Sequence, residues 1–567
     1  MTLAAPAARA QAPATGAFDL IASGLLDIPA WWAEPGRPGM TDQAWLGTAM
    51  PWTLAGLAAG AWALELPDRV EGAPFPGVLG IGPMLGAFDS VTTIAGAGGA
   101  VAGFEGSLAT AASIPALPHE RRTLGYVQLG GGDFGFDENA LAVERGDSLH
   151  DLRVEVIGGH PGRTGSLERA GHHLWQVGGR WSRGPHQLAA GFGNRGTAMS
   201  VAGGEEQSTG GDAGHVRYRY ASGATSVSAG YERAYDHHES FGGLRNPSRR
   251  DAQVTRGALD AAWSGGRLEL GARAAAAESE VHRQGDDAFA TRARWVWGTA
   301  WAGLKLGPGR AQAALGAGHH DVLGGVETAP SFEYRVASGR WQARVGVERV
   351  LWAVWSDLEP ASLDGPPQAP FLQSTWAGVA ELRHSGPGRV LHGTLLAGRT
   401  RDRALVTREP IEDLWLRDGF HADPDRYDFA LGMLDATWHG RHWGSWAEGF
   451  GLGRSTSGQQ VDPAWGGRGE VEYRTQFFGG DLVVRLRAGV EAVGARTSEG
   501  LEPRTLPAYA TSIVGVVATL ADAVITLRVR NLENRVREET WLDTATFSEA
   551  LGSGREMRLL VTVRLSN

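Results

Sequence analysis

Hydrophobic and polar positions alternate with a period of two along most of the chain after residue 121. The stretch AVITLRVR at 523–530 places Ile525 and Leu527 on one face and Thr526 and Arg528 on the other. Such alternation predicts β-strands with one apolar face and one polar face. Between residues 122 and 565 the pattern predicts about 22 strands, several of which reach the ~9–11 residues that a tilted strand needs to cross a bilayer.

The connections between these strands alternate in length. Those after even-numbered strands are short and contain glycine, as at Ser222-Gly223 and Gly479-Gly480. Soluble sandwiches and propellers give no reason for this alternation, whereas outer-membrane barrels have short periplasmic turns and long extracellular loops. Tryptophans near strand ends, such as Trp341 and Trp443, fit an interfacial aromatic girdle. The longest polar connections are predicted at 196–213, 236–252, 356–373, 402–426 and 531–553.

Composition excludes several classes of protein. Glycine accounts for 83 of 567 residues but shows no triplet period, which excludes a collagen-like fibre. The chain has no cysteine, so it has neither disulfides nor thiolate metal ligands, and its net charge of -10 argues against a nucleic-acid surface. We therefore expect neither a cofactor nor a resident metal, and no nucleic-acid partner.

The first 120 residues lack the period-two alternation of hydrophobic and polar positions. Residues 1–18 are alanine-rich and contain Ala-Gln-Ala, which is typical of the end of an export signal, so we interpret them as a signal-peptide remnant or a disordered terminus. Residues 19–120 contain a predicted helix at 52–66 and a stretch of small residues at 88–114. Barrels of about 22 strands enclose a lumen that is usually plugged. We therefore predict a small plug-like segment at 19–120 and an all-β, antiparallel transmembrane barrel at 121–567.

The C-terminal third resembles the family of TonB-dependent receptors. The sequence VRNLEN at 529–534 is similar to the family's penultimate strand, which ends in Asn-Leu-x-Asn, and Gly554-Arg555 opens a last strand at 557–565. Residues 90–112 resemble, more loosely, the end of the family's plug. No stretch near the N-terminus resembles a TonB box, the segment before the barrel is shorter than the usual plug, and Asn567 stands in place of a terminal aromatic residue. We expect either a reduced plug or a truncated start.

The resemblance implies a function in uptake. It predicts a monomeric receptor in the outer membrane of a Gram-negative-type bacterium, surrounded by outer-membrane lipid. Such a receptor captures a scarce small-molecule ligand, siderophore-like or another chelate, and is energised by the TonB complex. Two alternatives remain open: a passive, porin-like channel, and a barrel that anchors an adhesin or a hydrolase. Because no catalytic motif such as His-Glu-x-x-His occurs, we expect no enzyme.

Histidines and acids in the predicted outer loops are candidate ligand-binding residues. Imidazole and carboxylate together suit a transition metal or a metal chelate. The alternative, which we prefer, is that these residues are solvated loop tips, because adjacent side chains on an extended chain point apart. The candidates are His237, His238, His319, His320, Asp321, His421 and Asp423.

Charged residues on the polar faces of the last strands are predicted to line the lumen. They can pair with one another and hold a plug, which is the reading we favour, or their arginines can guide an anionic solute. These residues are Glu470, Glu472, Arg474, Arg485, Arg487, Glu491, Arg528 and Arg530.

Overall fold

The structure is a computed structural model of the 567-residue chain. Before the barrel it describes residues 15–16, 62–65, 70–71, 88–95, 99–104 and 109–115. From there it describes residues 122–566 apart from 134–136, 148, 161–166, 202–204, 242–247, 285–288, 323, 355–370, 403–425, 456–462, 498–504, 536, 544–547 and 553.

Twenty-two antiparallel strands form a closed barrel, which confirms the fold predicted from the alternation. Each strand pairs with its neighbours in the chain, and the last strand pairs with the first through Arg558↔Gly132 to Ser566↔Leu124. Because the barrel is closed, the backbone N–H and C=O groups of every strand form hydrogen bonds with neighbouring strands. No sheet edge is left unpaired, as a lipid environment requires. In chain order the strands are β1 (Arg122–Gly132), β2 (Asp137–Gly146), β3 (His150–His160), β4 (Leu167–Arg183), β5 (His186–Val201), β6 (Glu205–Ser222), β7 (Thr225–Phe241), β8 (Ser248–Gly265), β9 (Leu268–Gln284), β10 (Phe289–Leu306), β11 (Gly309–His320), β12 (Val326–Ser338), β13 (Trp341–Val354), β14 (Phe371–Gly386), β15 (Arg389–Asp402), β16 (Arg426–His439), β17 (Trp443–Arg454), β18 (Trp465–Phe477), β19 (Leu482–Val493), β20 (Tyr509–Leu520), β21 (Ala523–Arg530) and β22 (Glu556–Ser566).

Tight turns follow the even-numbered strands, as predicted. Gly223 at φ 55° and Gly266 at φ 59° occupy the left-handed region that glycine adopts without strain. We call this end of the barrel the turn end and the opposite end the loop end. At the loop end, β13 ends at Val354 and β14 begins at Phe371, and β15 ends at Asp402 and β16 begins at Arg426. These strand ends lie close to the boundaries predicted for the connections at 356–373 and 402–426.

Two predicted loops are wrong. The ranges 196–213 and 236–252 lie mostly in strands, because β5 continues to Val201 and β7 to Phe241 before the chain turns back. Toward the loop end the outer face of these strands becomes polar; the Tyr235 hydroxyl, for example, donates to Asp251 at 2.6 Å. The apolar half of the alternation therefore disappears there, although the backbone ladder continues.

The outer surface of the barrel wall is apolar. Large hydrophobic side chains project from alternate positions and remain exposed, among them Leu259, Val296, Leu395 and Leu434. Polar and charged side chains occupy the opposite, lumenal face. An exposed apolar band of this size is a surface for lipid rather than for water.

An arginine on the lipid face should therefore destabilise the inserted barrel. Leu395 lies near the middle of β15 and is 50% exposed. We expect Leu395→Arg to lower the free energy of unfolding from lipid vesicles by about 2–4 kcal/mol, measured by urea titration. Phe478→Arg, in a turn at the turn end where Phe478 is 78% exposed, is the control and should have little effect. Equal losses in both variants would contradict this placement of the lipid band.

The VRNLEN motif forms a structured turn at the loop end of β21. Asn531 and Asn534 both have left-handed backbones, at φ 52° and 56°. The Asn531 amide bonds with both the N–H and the carbonyl of Arg535, at 3.0 and 2.7 Å. Hydrogen bonds from Ser512 lower the pKa of the Glu533 carboxyl. A side chain on Gly554 would collide with Asn534, so the motif and the glycine before β22 form one close contact.

Ahead of the barrel lies a small mixed sheet. Its strands, in spatial order, are Thr15–Gly16, Phe88–Ala95, Ala109–Pro115, Trp62–Glu65 and Val70–Glu71.

One sequence assignment changes in this region. The helix predicted at 52–66 is wrong where it is described: Trp62–Glu65 is a strand that pairs in parallel with 109–112, and the remainder lies outside the described residues. Periodicity alone cannot tell whether a short apolar run forms a helix or a strand, and here pairing with residues 109–112 makes it a strand. Thr15–Gly16, inside the proposed signal remnant, pairs with Val91 and Ser90.

Helical structure is sparse in the part of the chain described. Gly99–Ala102 forms a single turn of helix in the chain between the strands Phe88–Ala95 and Ala109–Pro115. No helix among the described residues is long and apolar enough to cross a membrane.

Candidate functional site: a dock on the lumenal wall

Residues 99–104 contact the inner face of the barrel. The carbonyl oxygen of Ala100 accepts hydrogen bonds from the Trp297 indole N–H at 2.8 Å and from the Thr299 hydroxyl at 2.6 Å. Ala100 is fully buried and Trp297 nearly so. We call residues 99–104 together with their wall partners on β10–β14 the dock.

Phe104 is the apolar anchor of the dock. Its ring meets Trp297 edge-on at 5.3 Å between centroids and lies in one buried cluster with Ala329, Leu351 and Leu372. Burying a phenylalanine side chain of this kind contributes about 1.5–3 kcal/mol. Two hydrogen bonds and one aromatic anchor therefore fix this segment to the wall.

Glycines supply the space for this close approach. At Gly103, which has φ 66°, a Cβ would lie 2.7 Å from Trp297 Cγ. At Gly316 on β11, a Cβ would overlap the Ala100 carbonyl oxygen and crowd the Trp297 ring. Any side chain at Gly316 therefore competes with the docked segment for the same volume.

His319 and His320 are the last two residues of β11 rather than part of the predicted outer loop, and the side chains of residues 319–321 point in three different directions. His319 lies on the outer side, where its ring Nδ1–H donates to the carbonyl of Gly325 at 2.7 Å. His320 faces the lumen, is 2% exposed, and packs against Phe104 at 5.4 Å between centroids. Asp321 accepts the backbone N–H of Arg294 at 2.8 Å. This arrangement does not form a single metal-binding cluster, because successive residues of an extended chain alternate in direction.

The remaining loop candidates are not gathered into one site. His237 and His238 lie in β7 rather than in the predicted loop, and they pair in register with Asp251 and Arg250. His421 and Asp423 lie outside the described residues. Over the part of the chain that is described, no three His, Asp or Glu side chains are grouped so that they could hold a metal ion.

Charged side chains on the lumenal face of β18–β22 form ion pairs. Glu472 accepts from Arg487 at 3.0 Å and lies 3.4 Å from Arg485. Glu491 accepts from Arg530 at 2.8 Å, and Arg468 pairs with Glu470. The remaining two predicted lumenal residues, Arg474 and Arg528, alternate with lipid-side neighbours on the same strands.

Sequence reasoning missed the central residues of the dock. Trp297 and Thr299 lie in β10, in the run RARWVWGTAW, where Trp295, Trp297 and Trp301 all occupy lumenal positions. Large aromatic side chains on the otherwise polar face of a barrel strand were the available signal, because a water-filled lumen does not favour them.

Comparison with known proteins gives matches in structure alone. No family model and no curated protein matches the sequence. The ferric yersiniabactin uptake receptor FyuA from Yersinia pestis is 12% identical, with 98% of each chain covered and a TM-score of 0.75. The ferric enterobactin receptor PfeA from Pseudomonas aeruginosa is 12% identical over 99% of each chain, with a TM-score of 0.74. The copper transporter OprC is 13% identical over 91% of this chain and 92% of its own, with a TM-score of 0.71.

The chain has the fold of the TonB-dependent receptors. This agrees with the family resemblance of the VRNLEN motif. These three structures are described as two receptors and a transporter. At 10–13% identity the likeness concerns the fold and carries no ligand with it.

Proposed function

We propose that this protein is an outer-membrane receptor that takes up a scarce solute, with residues 19–120 acting as a plug inside the barrel. The observation that carries the proposal is the dock. A segment from the start of the chain is fixed to the inner wall of a closed barrel through Ala100 and Phe104. An occupant held in this way obstructs the lumen, which favours a gated receptor over an open, passive channel.

The size of the barrel supports the same function. Barrels of 16–18 strands leave an aqueous channel, whereas those of about 22 strands enclose a wider lumen that is plugged in transporters. The likeness to FyuA and PfeA covers almost all of this chain, including most of the residues ahead of β1. Those receptors are named for ferric siderophores and OprC for copper. We propose a siderophore-like or other chelate as the ligand class.

The orientation and partners follow from this proposal. The turn end faces the periplasm and the loop end faces the outside, as in outer-membrane barrels generally. The apolar band meets outer-membrane lipid, and the protein acts as a monomer. The loops at the loop end and the docked segment are the surfaces that capture ligand, and the TonB complex supplies the energy for rearranging the plug.

Conductance in planar bilayers tests the proposal. The intact chain is expected to insert as a closed barrel with only brief openings, because the plug fills the lumen. Exposure to a denaturant concentration that releases the plug but leaves the barrel folded should then produce large steps. A large, steady current from the intact, untreated chain would instead show a passive, porin-like channel.

A further inference from the structure

The lumenal face of the last five strands carries a surplus of positive charge. Among the described side chains of β18–β22, eight arginines and four glutamates occupy lumenal positions. Those arginines are Arg468, Arg474, Arg485, Arg487, Arg528, Arg530, Arg558 and Arg564, and the glutamates are Glu470, Glu472, Glu491 and Glu556. We call this face the arginine wall. It belongs to a chain whose net charge is -10.

The described part of β6–β17 lacks this surplus. On β6–β17 the described lumenal side chains include ten bases and nine acids, which is close to balance. The bases are Arg217, Arg219, Arg256, Arg273, Lys305, Arg310, Arg335, Arg344, Arg383 and Arg454, and the acids are Glu232, Asp260, Glu269, Glu327, Glu333, Glu348, Glu381, Asp435 and Glu448.

Several residues of the arginine wall are shielded from water, whereas Arg474 near its turn end is exposed. Arg468 and Arg528 are less than a tenth exposed, and Glu491 is fully buried. Side chains on a bare wall around a wide lumen would face water, so something inside the barrel covers them. Because an excess of buried positive charge is unfavourable unless it is compensated, the cover should carry negative charge.

The segment ahead of the barrel has the complementary charge. Residues 19–120 contain ten acidic residues and two arginines, so this segment alone accounts for a net charge of -8. A span of 102 residues therefore accounts for -8 of the chain's net charge of -10. No other part of the sequence of similar length combines so many acids with so few bases.

We propose that the arginine wall is the electrostatic seat of the acidic segment 19–120. This inference rests on the plug proposed above and adds how the plug is held. Residues 99–104 attach it to β10–β14 by apolar packing and two hydrogen bonds. Across the lumen, on β18–β22, carboxylates of the segment neutralise the surplus arginines. The plug thus has one apolar attachment that is insensitive to salt and one charged attachment that salt weakens.

Thiol labelling of the intact chain tests this seat, because the natural sequence has no cysteine. Thr526→Cys places a thiol on the arginine wall, and Thr394→Cys places one on the balanced lumenal face of β15; both threonines are buried. Raising the salt from 0.1 to 1 M shortens the Debye length from about 10 to about 3 Å. We expect maleimide labelling at Thr526→Cys to rise roughly tenfold, which corresponds to about 1.4 kcal/mol of lost attraction, and labelling at Thr394→Cys to change little.

A second variant identifies the occupant. Neutralising four acids of the segment, by Glu65→Gln, Asp68→Asn, Glu71→Gln and Asp89→Asn, should raise labelling at Thr526→Cys already at 0.1 M salt. Retained heat-modifiable migration on gels checks that the barrel has folded. Labelling at Thr526→Cys that does not change with salt overturns the proposal. Labelling that rises with salt but is unchanged by the four neutralising substitutions also overturns it, because another acidic element then covers the arginine wall.

Conductance of the same preparations separates this inference from the proposed function. An intact chain that behaves as an open pore contradicts the plug and the seat together. A closed pore with salt-independent labelling contradicts the electrostatic seat and leaves the plug in place.

Discussion

Gly316→Ala is expected to convert the intact chain from a closed barrel into one that opens frequently. The new Cβ would overlap the Ala100 carbonyl oxygen and the Trp297 ring, so the dock cannot form as it does in the natural protein. Undocking removes two hydrogen bonds and exposes Phe104, which together stabilise the docked state by about 3 kcal/mol. The ratio of docked to undocked molecules should fall roughly 100-fold, visible as a rise in open probability in planar bilayers.

Gly451→Ala is the matched control for this prediction. Gly451 lies in β17, and a Cβ there would have no atom within 4 Å. The same chemical change in another barrel strand should therefore leave the conductance of the intact chain unchanged. Open probabilities that rise equally in both variants would show a general effect of strand glycines and would contradict the dock. A silent Gly316→Ala variant would show that this contact does not control closure.

The second large effect is expected at a buried carboxylate of the arginine wall. Glu491 is fully buried, accepts from the Thr511 hydroxyl at 3.1 Å, and pairs with Arg530. Glu491→Gln keeps the volume but removes the buried charge that pairs with Arg530. Breaking a buried pair by removing one partner typically lowers stability by about 3–5 kcal/mol. Equilibrium unfolding in urea from lipid vesicles measures the loss.

Asp428→Asn provides the comparison for Glu491→Gln. Asp428 forms a bidentate pair with Arg399, but both side chains are about half exposed. Exposed pairs are screened by water and contribute little. We expect the unfolding midpoint of Asp428→Asn to stay close to that of the natural chain. If the two substitutions lower the unfolding midpoint equally, burial does not increase the contribution of the Glu491–Arg530 pair to stability.

The barrel could be predicted because strand and turn formation depends on residues that are close together in the sequence. Alternation such as that at 523–530 and short glycine turns such as Gly223 report strand and turn from neighbouring residues alone. The loops predicted at 196–213 and 236–252 were wrong because the outer face of β5–β8 leaves the apolar band, so the polar ends of those strands resemble loops in sequence. The helix predicted at 52–66 failed because pairing with residues 109–112 decides its described part.

The dock was beyond sequence reasoning for a different reason. Ala100 and Trp297 are separated by 197 positions, and no local pattern links them. The histidine candidates show that residue type alone does not predict a binding site, because His319 and His320 are adjacent in sequence but face opposite sides of the wall. The placement of charge along β18–β22 could be inferred from alternation, because strand geometry alone sets which residues share a face.

Cross-linking between the segment and the wall tests most directly the central claim that the start of the chain sits inside the barrel. Ala100→Cys and Thr299→Cys would be joined with a short bis-maleimide in the otherwise cysteine-free chain, followed by a protease cut between the two positions. Ala100→Cys with Ala300→Cys is the control, because residue 300 is the next one along and faces lipid. Fragments that stay joined with Thr299→Cys and separate with Ala300→Cys are the predicted result. Equal joining of the two pairs, or joining of neither, would contradict a segment docked on the lumenal wall.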